Sequence, residues 1–289
     1  MYTLFFDSDC DVTLEKAQEY GARLISMPYV IDGEETYPYV DFEKFDAHEF
    51  YEMLRKGTLP TTCALSSENY RAYFEEELQK GNDILYVHFS RAMTVSFQAA
   101  DACIKELLEK YPGRRIELVD TKAITVLGYN ISIQVGELYK AGKSIDEILE
   151  WAKENVDHNA VYFYADNLKF FARSGRVSGF SAFMGGMIGI KPIICMKENG
   201  KMESIDKAVG RKKALDKILN YVVTLEDHIK DYPVYVAHCD AIHLANELCA
   251  MLKSHFGEDL KIEIIDVNPT AGSHCGPDTV GVTFHSKKR

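Results

Sequence analysis

Near the C-terminus, Asn268-Pro269-Thr270-Ala271-Gly272-Ser273-His274-Cys275-Gly276-Pro277-Asp278 sets an imidazole beside a thiol among turn-forming residues, just before the alternating run 279–284. Gly272 and Gly276 permit backbone angles closed to other residues, and Pro277 biases Gly276 away from helix. The stretch reads as a turn-rich loop presenting His274 at the rim of a sheet, where it either meets a ligand or faces water. With Cys275 or Cys63, His274 would make the base–nucleophile pair of a thiol hydrolase. Neighbours at 274 and 275 point in different directions, and Cys63 reaches His274 only if two distant loops converge. The chain carries neither a nucleophile elbow nor a nucleotide-binding glycine signature, which weighs against intrinsic catalysis, phosphotransfer included.

The seven cysteines are scattered, odd in number and without a CxxC pair, the pattern of reduced thiols and not of a disulfide frame or zinc knuckle. His238-Cys239-Asp240 resembles a ligand cluster, but adjacent residues rarely aim at one ion, so no metal is expected. The 289 residues fit two domains of ordinary size, and 46% hydrophobic content supplies a packed interior. A net charge of -11 argues against a general nucleic-acid or anionic-membrane binder. No apolar window is long enough for a membrane span, and the opening residues show no basic leader or cleavage site, which points to a cytoplasmic protein.

The elements that must position these groups alternate strand and helix. Residues 3–6 form a strand ending in Asp7-Ser8-Asp9-Cys10-Asp11, which either caps the helix expected over 15–24 or offers amides to an anion. A strand over 25–31 turns at Asp32-Gly33, a helix covers 42–56, and Thr61-Thr62-Cys63 lie in a short extended loop. Helices at 68–80, 96–110 and 124–139 alternate with strands at 84–89 and 115–119, and Ser144 opens a capping box. This order predicts a mainly parallel sheet covered on both faces. The hydroxyls of Ser8, Thr62, Ser90 and Thr94 fall just beyond strands or at loop-to-helix joints, where open α/β sheets bind ligands.

The character changes near Asn155, dividing the chain into an N-terminal α/β domain, 1–155, and a C-terminal α/β domain, 156–289, with a mixed sheet. Strands are expected at 161–164, 193–196, 202–205, 234–238 and 261–265, with a hairpin at Asn199-Gly200. Helices are expected at 167–171, 211–229 and 241–256. The run 180–190, apolar with interleaved glycines, is either a core helix or a place where another backbone or an acyl chain approaches closely, and Lys191-Pro192 ends it. Arg211-Lys212-Lys213 reads as a solvated helix start or a docking patch for a partner.

Taken in order, these stretches resemble the DegV family of bacterial lipid-binding proteins, a two-domain fold shared with the carrier subunits of fatty-acid kinase. Asp7-Ser8-Asp9-Cys10-Asp11-Val12 resembles the family's Asp-Ser-x-x-Asp-Leu, and Pro60–Ser66 its Pro-x-Thr-Ser-Gln-Pro-Ser. Thr94–Ala100 resembles Ser-Gly-Thr-Tyr-Gln-x-Ala, Gly175-Arg176-Val177-Ser178 resembles Gly-Arg-Ile-Ser, and His274-Cys275-Gly276-Pro277 resembles His-x-Gly-Pro-Gly. The resemblance implies a long-chain fatty acid in a tunnel between the domains. Its carboxylate would be held by Thr62 and Thr94, with His274 and Arg176 close by and Cys63 and Gly276 in the matching motifs. It further implies no catalysis by this chain, no cofactor, and a separate kinase subunit that phosphorylates the bound acid. Cys63 and Thr94 each replace a family serine, and Asp278 replaces a glycine, which would set a negative charge near the carboxylate unless it points outward.

Overall fold

A computed structural model describes residues 1–179 and 189–289. The 180–188 part of the apolar run lies outside them. The first half contains β1 (Tyr2–Asp7), α1 (Leu14–Glu19), β2 (Arg23–Ile25), β3 (Tyr29–Ile31), β4 (Glu34–Thr36), α2 (Ala47–Arg55), β5 (Thr61–Thr62) and α3 (Ser67–Gln79). It continues with β6 (Asp83–His88), α4 (Ser96–Lys110), β7 (Ile116–Asp120), α5 (Thr125–Lys140) and α6 (Ile145–Asn155). β2, β1, β6 and β7 form a four-stranded parallel sheet in that order, as strands alternating with helices require. β4, β3 and β5 make a small antiparallel sheet.

The second half holds β8 (Asn159–Tyr164), α7 (Leu168–Ser174), β9 (Val177–Ser178), β10 (Ile190–Met196), β11 (Met202–Val209) and α8 (Arg211–Leu225). β12 (Val234–His238), α9 (Ile242–Phe256), β13 (Ile262–Asp266), α10 (Pro269–Cys275) and β14 (Val280–His285) complete it. These strands form one seven-stranded mixed sheet, β13-β12-β14-β8-β10-β11-β9. The fold is therefore α/β, with a parallel N-terminal sheet and a mixed C-terminal one.

Alternation along the large sheet separates two cores. Ala160, Tyr162, Val234 and Val236 pack with Ala214, Leu215 and Leu248 beneath α8 and α9. Val161, Ile194, Met196, Tyr235 and Ala237 instead join the core of the first half. α5 stands between the two main sheets: Asn130 Nδ2 donates to Asn159 Oδ1 at 3.3 Å and Thr283 Oγ1 at 3.4 Å, and Val126, Leu127, Ile131 and Val135 are buried.

Several expectations change. The C-terminal loop is a helix, α10: Pro269 occupies its first turn and the Asn268 side chain accepts from Ala271 N, a start signal that the flanking glycines obscured. Lys191-Pro192 does not end an element but lies inside β10, and Pro192 sits outside the β8 pairing, which covers only residues 193–195. Thr61-Thr62 are a strand and not a loop, because Thr62 pairs with Tyr29. The first helix stops at Glu19, since β2 pairs with β1 from Arg23 onward.

The Asp7–Asp11 turn does not cap α1, whose N-cap is Thr13; it fastens three segments together. Asp7 Oδ2 accepts from Phe89 N at 2.8 Å and from the Tyr86 hydroxyl at 3.1 Å, fixing the end of β6. Ser8 Oγ accepts from Met27 N at 2.8 Å. Asp11 Oδ1 accepts from Asn268 N at 2.8 Å and Asn268 Nδ2 at 2.7 Å, holding the start of α10. The Thr270 hydroxyl donates to Met27 O at 2.6 Å, so both ends of the chain share one anchor. Asn268→Ala removes a helix cap and the side-chain bond to a buried carboxyl, leaving the backbone one, and should lower unfolding stability by about 1–3 kcal/mol in a denaturant titration.

Burial holds the Asp11 carboxyl up at about 7, against the bonds from Asn268 that favour its charged form. The folded state therefore binds an extra proton between about pH 4 and 7. That contribution is complete below pH 4 and lost as pH rises through 7. Asn at this position keeps the acceptor oxygen but cannot ionise. Denaturant titrations should find Asp11→Asn gaining stability relative to the parent protein as pH rises from 5 to 8; a constant difference would contradict the raised value.

Candidate functional site

The inward face of the large sheet and the loops of the first half line a cavity of about 1010 Å³, counting the part open to solvent. Its walls are mostly apolar: Phe163, Met196 and Met202 from the sheet side, Met27, Phe89 and Met93 from the other. Thr62, Cys63, Thr94, Arg176 and His274, drawn from four separate motifs, all line it. Gly276 does not. It closes α10 with φ 70, and a Cβ there would lie 2.3 Å from the Phe170 ring, so glycine is required for close packing and not for ligand contact.

Each polar group is positioned by its own element. β5 pairing holds Thr62, whose Oγ1 lies 3.0 Å from His274 Nε2 at the last turn of α10. Thr94 follows a short 3-10 turn; its Oγ1 accepts from Ser96 N at 3.1 Å, which leaves the hydroxyl proton free to donate. Ser96 Oγ in turn accepts from Leu65 N at 2.8 Å, so the Thr62 and Thr94 segments are tied to each other. Arg176, exposed, donates through Nη1 to Ser174 O. The other hydroxyls singled out by position are occupied elsewhere: Ser8 by Met27, and Ser90 by Gly200 O at 2.7 Å.

The imidazole is neutral at pH 7. Burial, reinforced by Arg176 and Arg173, presses the His274 value down to about 4. The positive charge at the site is therefore guanidinium, not imidazolium. Asp278 faces away from the cavity: Oδ1 accepts from Arg55 Nη2 at 2.8 Å and Oδ2 from Arg211 Nη2 at 2.6 Å. Arg211 also holds Asp166, so of the basic triplet only Lys212 and Lys213 remain exposed.

The thiols are not poised for catalysis. Burial and the adjacent Glu35 carboxylate raise Cys63 above its ordinary range. Cys275 contacts Cys239, which burial and that contact hold well above the usual thiol value. Among the described residues no hydrogen bond joins either cavity-lining thiol to His274. His238, Cys239 and Asp240 diverge: His238 Nδ1 lies 3.4 Å from Asp266, Cys239 faces Cys275, and Asp240 pairs with Arg55 and His48.

Sequence reasoning missed three contributors. Ser96 joins two mouth segments, and Asp9 and Thr125 line the cavity. Asp9 lay inside a motif read as a cap, and the positive φ of Thr125, 53°, has no signature in a β-branched residue.

Together these observations describe an α/β protein with a mostly apolar internal cavity on which a few polar side chains converge. The chain belongs to the DegV family, described as uncharacterised protein, DegV family, which it matches over residues 2–287. A DegV domain-containing protein of Clostridium perfringens is 31% identical over 285 residues, covering 98% of this chain and 97% of its own. A solved DegV family protein from Thermus thermophilus, described by its fatty acid binding, is 25% identical with a TM-score of 0.83 over 99% of both chains. A stearic acid-binding protein from Eubacterium ventriosum superposes at TM-score 0.85 with 20% identity over 99% of both chains.

A histidine-resolved NMR titration of lipid-free protein should find His274 neutral from pH 8 down to about 5, with a midpoint near 4. A midpoint near the ordinary 6.5 would mean the imidazole is solvated and the mouth is not closed as described.

Proposed function

We propose that the protein binds a long-chain fatty acid in this cavity, without chemistry of its own, and presents the carboxylate to a separate kinase subunit. The observation that carries the reading is the convergence of Thr62, Thr94, Arg176 and His274 on one apolar cavity. The fatty acid binding of the related Thermus thermophilus protein supports it. Residues 1–155 and 156–289 act as the two lobes that enclose the chain.

The carboxylate lies against the two threonine hydroxyls. With the proton on His274 Nε2, the imidazole donates to Thr62 Oγ1, and the Thr62 hydroxyl proton is free to donate outward. Thr94 donates in parallel, because its own oxygen is already engaged by Ser96 N. Arg176 supplies the compensating charge at the exposed end. The acyl chain contributes about 0.8 kcal/mol for each methylene buried along the walls. A neutral imidazole costs little to bury in the empty state. The Arg176 end, open to solvent, is the side on which a phosphorylating partner reaches the head group.

Mass spectrometry of gently extracted protein should detect a co-purifying acyl chain, and its absence after refilling with octadecanoic acid would count against the reading. In displacement of a fluorescent fatty acid, Thr62→Val and Thr94→Val should each weaken binding roughly tenfold. Cys63→Ala should leave it unchanged within about twofold, since the thiol is turned to Glu35. Incubation with a fatty-acid kinase subunit and ATP should give acyl phosphate, trapped with hydroxylamine, only when the loaded protein is present.

A further inference from the structure

The mouth is not the cavity's only polar spot. Asp9 also lines it, is only 6% exposed, and its Oδ1 has no hydrogen-bond partner. Buried polar atoms are nearly always satisfied, so an orphaned carboxyl oxygen on a cavity wall marks a place where something binds. Thr125 lines the same cavity, and its hydroxyl makes no hydrogen bond among the described residues. Its φ of 53 is costly for a β-branched side chain, and such strain gathers where ligands are held.

The helix that begins at Thr125 packs on the turn that carries Asp9. Gly128, one turn beyond Thr125 on α5, sits so close to the Asp9 turn that a Cβ there would lie 2.7 Å from Cys10 Sγ. The two residues sit on other elements than the mouth groups: Asp9 on the turn after β1 and Thr125 at the start of α5, against Thr62 on β5 and His274 on α10. A carboxylate head group is stabilised by the guanidinium of Arg176 and gains no counter-charge at the acidic turn, so it stays with Arg176 and the Asp9 spot meets some later part of the chain.

Building on the acyl-binding reading above, we propose that Asp9 and Thr125 form a second polar subsite that selects a fatty acid bearing a hydroxyl group along its chain. Burial, with Asp7 and Asp11 nearby, raises the Asp9 carboxyl well above its ordinary range, which favours the protonated form, with both a donor and an acceptor. A hydroxyl has the matching acceptor and donor. An unsubstituted chain leaves the carboxyl oxygen unpaired against methylenes, which a site of this kind discriminates against.

The test is a displacement assay on delipidated full-length protein. It compares octadecanoic acid with a panel of its monohydroxy isomers, the hydroxyl placed at successive positions from the middle of the chain to its methyl end. The parent protein should bind at least one isomer about tenfold more tightly than octadecanoic acid. Asp9→Leu should abolish that preference, and Asp9→Asn, which keeps a donor and an acceptor, should retain it. Equal affinity of the parent for every isomer and the unsubstituted acid overturns the subsite and leaves the acyl reading standing. A preference that survives Asp9→Leu also overturns it. Failure to bind either class overturns the acyl reading and the subsite together. The comparison on the parent protein decides the matter even if a variant does not fold.

Discussion

The clasp between Asp11 and Asn268 is the contact on which the site depends. It joins the first strand's exit to the start of α10 across almost the whole sequence, and it does so with one buried carboxyl oxygen that accepts from both a backbone amide and a side-chain amide. α10 has only seven residues and little intrinsic stability. Its orientation, and with it the placement of His274, comes from this clasp, from Thr270 on Met27 O, and from the Tyr51 hydroxyl on Val267 O at 3.0 Å. Asp7, four residues before Asp11, does the same for the loop that leads to Thr94. One acidic turn thus sets the distance between the two sides of the mouth.

The cavity exists because the large sheet is covered unequally. On the α8 and α9 side its alternate residues pack densely. On the other side Val161, Met196 and Ala237 meet the first half, whose own surface is a set of loops and the buried helix α5. Flat helix-on-sheet packing would have closed the gap, whereas loops that end in fixed hydrogen bonds cannot collapse into it. Methionines at 27, 93, 196 and 202 supply walls that adapt to a flexible guest.

Electrostatics then separates the two ends. Burial, reinforced by Arg176 and Arg173, keeps His274 neutral, while Asp278 is drawn into a pair with Arg55 and Arg211 away from the cavity lining. The substitution of aspartate for the family's glycine is thereby accommodated without a charge conflict. Cys63, which stands where the family has serine, is likewise turned aside toward Glu35. Of the three departures from the family pattern, Thr94 keeps a hydroxyl on the cavity wall, Cys63 lines the cavity with its thiol toward Glu35, and Asp278 is paired outside it.

Strand and helix alternation, the parallel first sheet and the Ser144 capping box were all legible locally, because period and caps are properties of neighbouring residues. So was the set Thr62, Thr94, Arg176 and His274, through motifs whose order in the chain matches a family. What no local rule contains is the pairing of partners far apart. Asn268 reads as a turn residue until Asp11 is seen to receive it, and Thr62 reads as loop until Tyr29 is found beside it. Gly276 looked like part of a binding motif until Phe170 was found against it. The sequence by itself determined which side chains carry donors, charge and grease; tertiary structure alone decided which of them are left unpaired on a shared wall, because satisfaction of a buried polar atom depends on distant chain segments.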